Sequence, residues 1–387
     1  MKNTYRELVE QTFYFPQEGF EVIDNQLHFY GIDLMEIIKQ YGTPLKISYL
    51  PKIGSQIKKA KRIFNVAIAK TDYKGNYTYC YCTKSSRFSF VLHEALKHDI
   101  HLETSSAYDI PIIKSLLAEK KIDKQIYIIC NGFKRPQYID NIASLINDGF
   151  ENVIPILDNK NELAAYDKKI KGRKKVKVGI RIAAGEEPNF EFYTSRLGIR
   201  YDEIVDYYTK HLKKNPKFQL KMLHFFINTG IKDTAYYWSE LNKCVRVYCE
   251  LKKVCPTLDS LDIGGGWPVR HSLGFDYDYE YMAEQIVRQI KAACKSQNVD
   301  EPNLYSEFGS FTVAESGATL YSVVDSKQQN DNEKWYMIDS SFITTLPDTW
   351  GIKQKFIWRI LLGLLVKIDR NKKAPNILML EANCIFI

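Results

Sequence analysis

The sequence predicts an α/β protein: a (β/α)8 barrel, accompanied by a β domain assembled from both ends of the chain. Three observations carry this expectation. Between Tyr77 and Gly309, short apolar runs rich in Val, Ile, Tyr and Phe alternate with longer amphipathic segments, the rhythm of a buried parallel sheet overlaid by helices. Outside that span, "EVIDNQLHFYGIDL", "TPLKISYLPK" and "TLYSVVDSKQQNDNEKWYMIDSS" alternate as antiparallel strands do. The length, 387 residues, suits one barrel-sized domain and a smaller partner. The expected boundaries are 1–50 for an N-terminal segment feeding the β domain, 51–315 for the barrel and 316–387 for the C-terminal β segment.

Eight barrel strands are expected in order: "YTYCYCTK" (77–84), "HLETSS" (101–106), "IYIICNG" (126–132), "NVIPILDN" (152–159), "KVGIRIAA" (177–184), "KMLHFFIN" (221–228), "SLDIGGG" (260–266) and "NLYSEFG" (303–309). The segments between them, such as Arg135 to Gly149 and Thr234 to Val254, carry helical spacing of apolar residues. Periodicity cannot show closure, so an open doubly wound sheet remains the alternative.

Composition narrows the function classes. Apolar residues at 45% and charged residues at 26% describe a chain that folds. The net charge of +8 is spread along the chain and is densest in "KKIKGRKKVK" from Lys168 to Lys177. No aromatic residues accompany that run, so a solvated connection is expected there and nucleic acid is not an expected partner. Eight cysteines without a CxxC pair read as small buried hydrophobes in a reducing compartment, with neither a disulfide frame nor a metal site. The N-terminus lacks the apolar core of a signal peptide, and "FIWRILLGLLV" (356–366) is too short and too interrupted for a membrane span. A cytoplasmic location and no membrane partner are the expectations.

In a β/α barrel, chemistry collects where strands end and loops begin. Lys84, Glu103, Asn131, Arg181, the stretch His224 to Asn228, the glycines of "LDIGGGWPV" and Glu307 all fall at such ends. Three consecutive glycines let backbone N–H groups approach a phosphate without Cβ obstruction, although the spacing is that of neither GxGxxG nor a P-loop. A phosphate-bearing cofactor with an aldehyde accounts for both the glycines and the lysine, and pyridoxal 5′-phosphate is that cofactor.

The ordered set "YGTPL", "YCTK", "HLETSSAYD", "ICNGFK", "SRLGI", "LHFFINTG", "DIGGG" and "SEFG" resembles the alanine racemase-like, fold-type III pyridoxal phosphate decarboxylases, and most of all the biosynthetic arginine decarboxylases. The resemblance covers roughly residues 30–350. It implies that Lys84 is the Schiff-base lysine and that Glu307 faces the pyridine nitrogen, the two catalytic positions. It further implies that Gly264, Gly265 and Gly266 hold the phosphate, that Glu103 and Arg181 orient the cofactor, and that Asp109 is a polar position at the barrel mouth. Asp339 falls where these enzymes place an acid near the substrate's distal cation. The implied reaction is decarboxylation of L-arginine to agmatine and CO2, feeding polyamine and spermidine synthesis, in a homodimer or higher homo-oligomer. Diaminopimelate or ornithine as substrate, for a decarboxylase or a racemase, and a noncatalytic paralogue are the alternatives. Partial burial of Lys84 is expected to free its amine by desolvation.

Three departures from the family pattern bear on activity. Where the family has "HFHxGS", with a histidine that stacks on the cofactor, this chain has "HFFIN", placing His224 at the outer histidine and Phe226 at the stacking position. Ser310 stands where relatives carry an arginine near the phosphate. Beyond "LPDTWGIKQKF" the resemblance stops before the Cys-Asp motif that a partner subunit lends, and Cys384 lacks the neighbouring Asp. A disrupted frame or a truncation, leaving an incomplete β domain and poor turnover, is the resulting expectation.

Overall fold

A computed structural model describes residues 19–23, 26–172, 175–185, 195–270, 275–330, 333–348, 357–360 and 376–381. The chain divides into two compact units, one drawn from Met1–Tyr49, Val269–Asp276 and Ala314–Ile387, the other from Leu50–Pro268 and Tyr277–Val313. The short stretch Val269–Asp276, placed within the barrel by the sequence, groups with the β unit.

In the β unit, strands β1 (Phe20–Ile23), β2 (Gln26–Phe29) and β3 (Ile32–Asp33) form an antiparallel meander, and β4 (Leu45–Ser48) joins a separate sheet. Asp33 caps the helix Leu34–Tyr41 by accepting from the Met35 amide at 2.7 Å, which ends the meander and starts the helix at one residue.

The other unit is a closed, all-parallel barrel of β5 (Tyr77–Cys82), β6 (His101–Thr104), β7 (Tyr127–Cys130), β8 (Asn152–Leu157), β9 (Val176–Arg181), β10 (Phe218–His224), β11 (Ser260–Asp262) and β12 (Asn303–Phe308). The pairing of β12 with β5 and of β9 with β10 completes the ring and excludes the open sheet. Residues on both faces of the strands are apolar because one face fills the barrel and the other receives helices: all six residues of β8 are buried. The helix Leu50–Thr71 supplies Ile53, Ile57, Ala60, Phe64 and Ala67 to that outer layer at helical spacing.

Inside the barrel, Cys80, Ile129, Ile154, Ile156, Met222 and Tyr305 pack as one apolar layer. Side chains on a strand alternate, so the next inward position lies two residues on. Those positions are Cys82, Asn131, Asp158, His224 and Glu307, so a mostly polar set follows directly on the apolar layer.

After the barrel, β13 (Gly317–Asn330), β14 (Glu333–Ile338), β15 (Ile357–Ile360) and β16 (Asn376–Glu381) form an antiparallel sheet with β4. Two segments of the tail that lies beyond the resemblance are thus strands: β16 pairs with β13 and β15 with β16. Ile357–Ile360 of the "FIWRILLGLLV" tract is strand, and the rest of that tract and Cys384 lie outside the described residues. Seven cysteines are described, all buried and unbridged. No helix among the described residues is long and apolar enough to cross a membrane.

Candidate active site

Strand register assembles the site. Arg181 is level with His224, and His224 with Asp262, across three neighbouring strands; Cys82 is level with Glu103 on the other side of the ring. Residues separated by 43, 38 and 21 positions in sequence are therefore side by side at one end of the barrel.

Glu307 is the centre of this layer. Its Oε1 accepts from the Asn131 side-chain amide at 2.6 Å and its Oε2 is 3.1 Å from His224 Nε2. With a carboxylate as partner, His224 carries its proton on Nε2. Burial opposes ionisation of Glu307, but the His224 imidazole, its hydrogen bond and that from Asn131, with Asp262 close by, overcome it and bring the carboxyl down to about 2. Burial also pushes the His224 pKa down, so we read the imidazole as a neutral donor near pH 7 and the ionised state of Glu307 as held by hydrogen bonding.

Lys84 is on the one-turn 3-10 helix Thr83–Ser85 that follows β5, two residues beyond the end of the strand that the sequence extended through it. It keeps solvent access, while the charges of Glu103, Glu307 and Arg181 act on it. The expectation that burial frees its amine is corrected: Glu103, the largest influence, raises the Lys84 pKa and outweighs desolvation. Gly309 closes against this turn, since a Cβ there would run into Ser85 and Cys82.

Glu103 is fully buried and neither of its side-chain oxygens has a hydrogen-bond partner. Burial pushes its carboxyl up to about 7, opposed by Lys84 and reinforced by Glu307. Arg181 is buried with its guanidinium 5.4 Å from the centre of the Phe226 ring, so the aromatic that replaces the stacking histidine is backed by a cation.

The glycines follow β11 as a loop, outside the strand that the sequence extended to residue 266. Gly264 and Gly266 have φ of 70° and 96°, a region costly for residues with a Cβ, and the Gly264 amide donates to Asp262 Oδ1 at 2.8 Å. Gly264 O accepts from the Glu307 amide at 2.9 Å and Gly266 O from the Ile231 amide at 3.0 Å, so the loop is held between the ends of β12 and β10. A Cβ on Gly265 would collide with the carbonyl oxygen of Glu307. Gly265→Ala is expected to cost about 1–3 kcal/mol through overpacking, read as a lower melting temperature together with weaker cofactor uptake. Ser310 begins the short helix Ser310–Val313 directly after Gly309.

Two predicted polar positions are committed to local structure. Asp109 accepts from Arg87 Nε at 2.7 Å and from the Ser105 and Ser106 amides at 3.0 and 2.9 Å, fastening the loop after β6. Asp339 belongs to the β unit, where it accepts from Thr43 Oγ1 at 2.6 Å and from the Ser322 amide at 3.0 Å.

The residues present fit a pyridoxal cofactor: an accessible amine, an ionised carboxylate, a buried unpartnered carboxyl and a glycine loop that admits no side chain. A closed β/α barrel with these groups at its C-terminal end defines the class. The match to the pyridoxal-dependent decarboxylase family, through its pyridoxal binding domain, spans residues 53–314, and the chain belongs to that family. It is 26% identical to the biosynthetic arginine decarboxylase of Citrifermentans bemidjiense over 352 residues, covering 82% of this chain and 52% of that protein. The chain thus spans about half the length of the curated relatives it matches. Its fold is shared with the biosynthetic arginine decarboxylase of Campylobacter jejuni, at 18% identity and a TM-score of 0.77 over 95% of this chain and 82% of that one. Diaminopimelate decarboxylase from M. jannaschii is similar at 17% identity and a TM-score of 0.78, over 96% and 89% of the two chains.

Proposed function

We propose that this protein is a pyridoxal phosphate-dependent decarboxylase of a basic amino acid, with L-arginine, giving agmatine and CO2, as the substrate. The observation that carries the reading is Glu307, held by two donors at the end of the barrel where Lys84 follows β5, its charge acting on that lysine. Pyridoxal phosphate, when bound, supplies an electron sink for the pair left behind as CO2 departs. Lys84 is the amine that anchors it, Glu307 offers negative charge to its ring nitrogen, and Phe226 gives a flat apolar face backed by Arg181. Gly264, Gly265 and Gly266, with Ser310, form the phosphate side, and Glu103 presents its unpartnered carboxyl to the cofactor's polar groups.

The arginine relatives support arginine over diaminopimelate, lysine or ornithine. A homodimer in the cytoplasm and a role for Asp339 at the substrate's distal cation accompany this reading. A second reading, a cofactor-binding relative with little turnover, is favoured by Phe226, which can stack but cannot donate a proton. Release of labelled CO2 from arginine, measured beside lysine, ornithine and diaminopimelate, tests both. Lys84→Ala is expected to abolish the protein-bound cofactor absorbance and reduce CO2 release to background. Retention of either in that variant overturns the anchoring role. Light scattering on the eluting protein is expected to give at least a dimer.

A further inference from the structure

The structure assigns a proton as well as a charge within the polar layer. We propose that Asp262 is the protonated member of a carboxyl–carboxylate pair with Glu307, a positioning residue that confines the site's negative charge to Glu307. The inference rests on the reading of Glu307 as the carboxylate offered to the cofactor.

The argument is geometric. Ligating atoms of His224, Asp262 and Glu307 lie within 4.8 Å of one another, and all three residues are buried. Two carboxylates this close cannot both ionise in a barrel interior, because each negative charge raises the other's affinity for a proton. The question is which one keeps it. Glu307 has a donor on each oxygen, from Asn131 and His224. Asp262 has one backbone donor, Gly264, on Oδ1, and its Oδ2 is buried without a hydrogen-bond acceptor or donor at bonding distance. Negative charge settles where donors are most numerous, which leaves the proton on Asp262.

The groups acting on Asp262 agree from every side. Glu307 on β12 and Glu103 on β6 are acidic, Cys80 and Tyr77 on β5 are buried neutral groups, and His224 on β10 spends its proton on Glu307. Burial, followed by the charge of Glu307, pushes the Asp262 carboxyl well above its ordinary range. The trio is then a buried cluster within 4.8 Å with one negative charge and one stored proton, and a divalent cation is the competing occupant.

Infrared difference spectroscopy between native protein and Asp262→Asn decides the point. Burial pushes the Glu103 and Glu162 carboxyls up to about 7, so the spectra are taken at about pH 9 and the band is assigned by its loss on substituting Asp262. The native protein is expected to keep such a band and Asp262→Asn to lack it. The asparagine variant, which retains a neutral polar group of the same size, is expected to take up pyridoxal phosphate with affinity within about threefold of native. Asp262→Ala serves as the second variant and is expected to lose the band as well. A native spectrum without the band, a band that persists in both variants, or tight zinc binding by the cofactor-free protein overturns the assignment. The band is read without cofactor, so a native protein that takes up no pyridoxal phosphate refutes the functional reading and leaves the proton assignment to be decided by the spectrum alone.

Discussion

Glu307→Gln is expected to lower CO2 release by about 10²–10³-fold while leaving the fold intact, a loss of about 3–4 kcal/mol of the kind measured when one preorganised charge partner is removed. The substitution keeps size and shape and removes only charge. One carboxylate oxygen becomes an NH2 group that confronts either the Asn131 amide or His224 Nε2, both of which are donors in the native protein. The layer can absorb that change. Asn131 Oδ1 and His224 Nδ1 are buried without partners, so turning the Asn131 amide over, or moving the His224 proton to Nδ1, restores a donor–acceptor match. A normal melting temperature with slow turnover at full cofactor loading would isolate the charge as the cause. A glutamine variant that turns over at the native rate would show that Glu307 is a packing residue and remove the main support for the functional reading.

Lys134→Met is expected to destabilise the barrel by about 3–5 kcal/mol, the largest stability effect anticipated for a single substitution outside the chemistry, because it leaves a buried acid without its counterion. Lys134 follows β7, and its ammonium is enclosed: it donates to Gly132 O at 2.8 Å, to Ile156 O at 2.5 Å, and pairs with Glu162 Oε2 at 3.2 Å with both side chains buried. Glu162 in turn accepts from Asn159 Nδ2 at 3.1 Å, so the pair ties the loop after β7 to the loop after β8. Burial pushes Glu162 up to about 7, opposed chiefly by the charge of Lys134, and pushes Lys134 down. An acid whose folded pKa lies above its unfolded value contributes stability that is fully present below the unfolded pKa and is lost as pH rises through the folded one. For Glu162 that window runs from 4.5 to about 7. Without Lys134 the folded pKa rises further and the loss extends to higher pH. Urea unfolding should therefore show the deficit of Lys134→Met growing as pH rises above about 7, where native Glu162 is already ionised and the unpaired acid is still losing its proton, and a deficit constant across that range would mean that lost packing, not the ion pair, explains it.

The motif order made the barrel and its cofactor legible because local signals are strong there. Runs such as "NVIPIL" are long enough in apolar residues to mark a strand buried on both faces, and "DIGGG" marks a turn that only glycine can make. Lys84 and Glu307 stand out in the sequence through the family resemblance, which places them at the ends of the first and last barrel strands. In the sequence, Asp262 is only the residue two before the glycines and Asn131 only a strand end. Asn131 lies two residues beyond Ile129 of the apolar layer and Asp262 is level with His224 of the neighbouring strand, relations visible only once strand phase and register are known. Lys134, in "CNGFK", gave no cue that it was structural: its three partners come from the loop beside it, from β8 and from the helix Glu162–Lys169. The state of Lys84 was misjudged for the same reason, because Glu103, across the strand pair from Cys82, raises its pKa.

The amino-acid sequence by itself determined the strand–helix rhythm, the family and the candidate for the anchoring lysine, since each depends on residues adjacent in the chain or on their order. Closure of the ring, the hydrogen bonds that ionise Glu307 and the proton left on Asp262 were decided by tertiary structure. Those properties depend on distances of a few ångströms between strands far apart in sequence, and on a buried environment in which hydrogen-bond donors set where charge can reside.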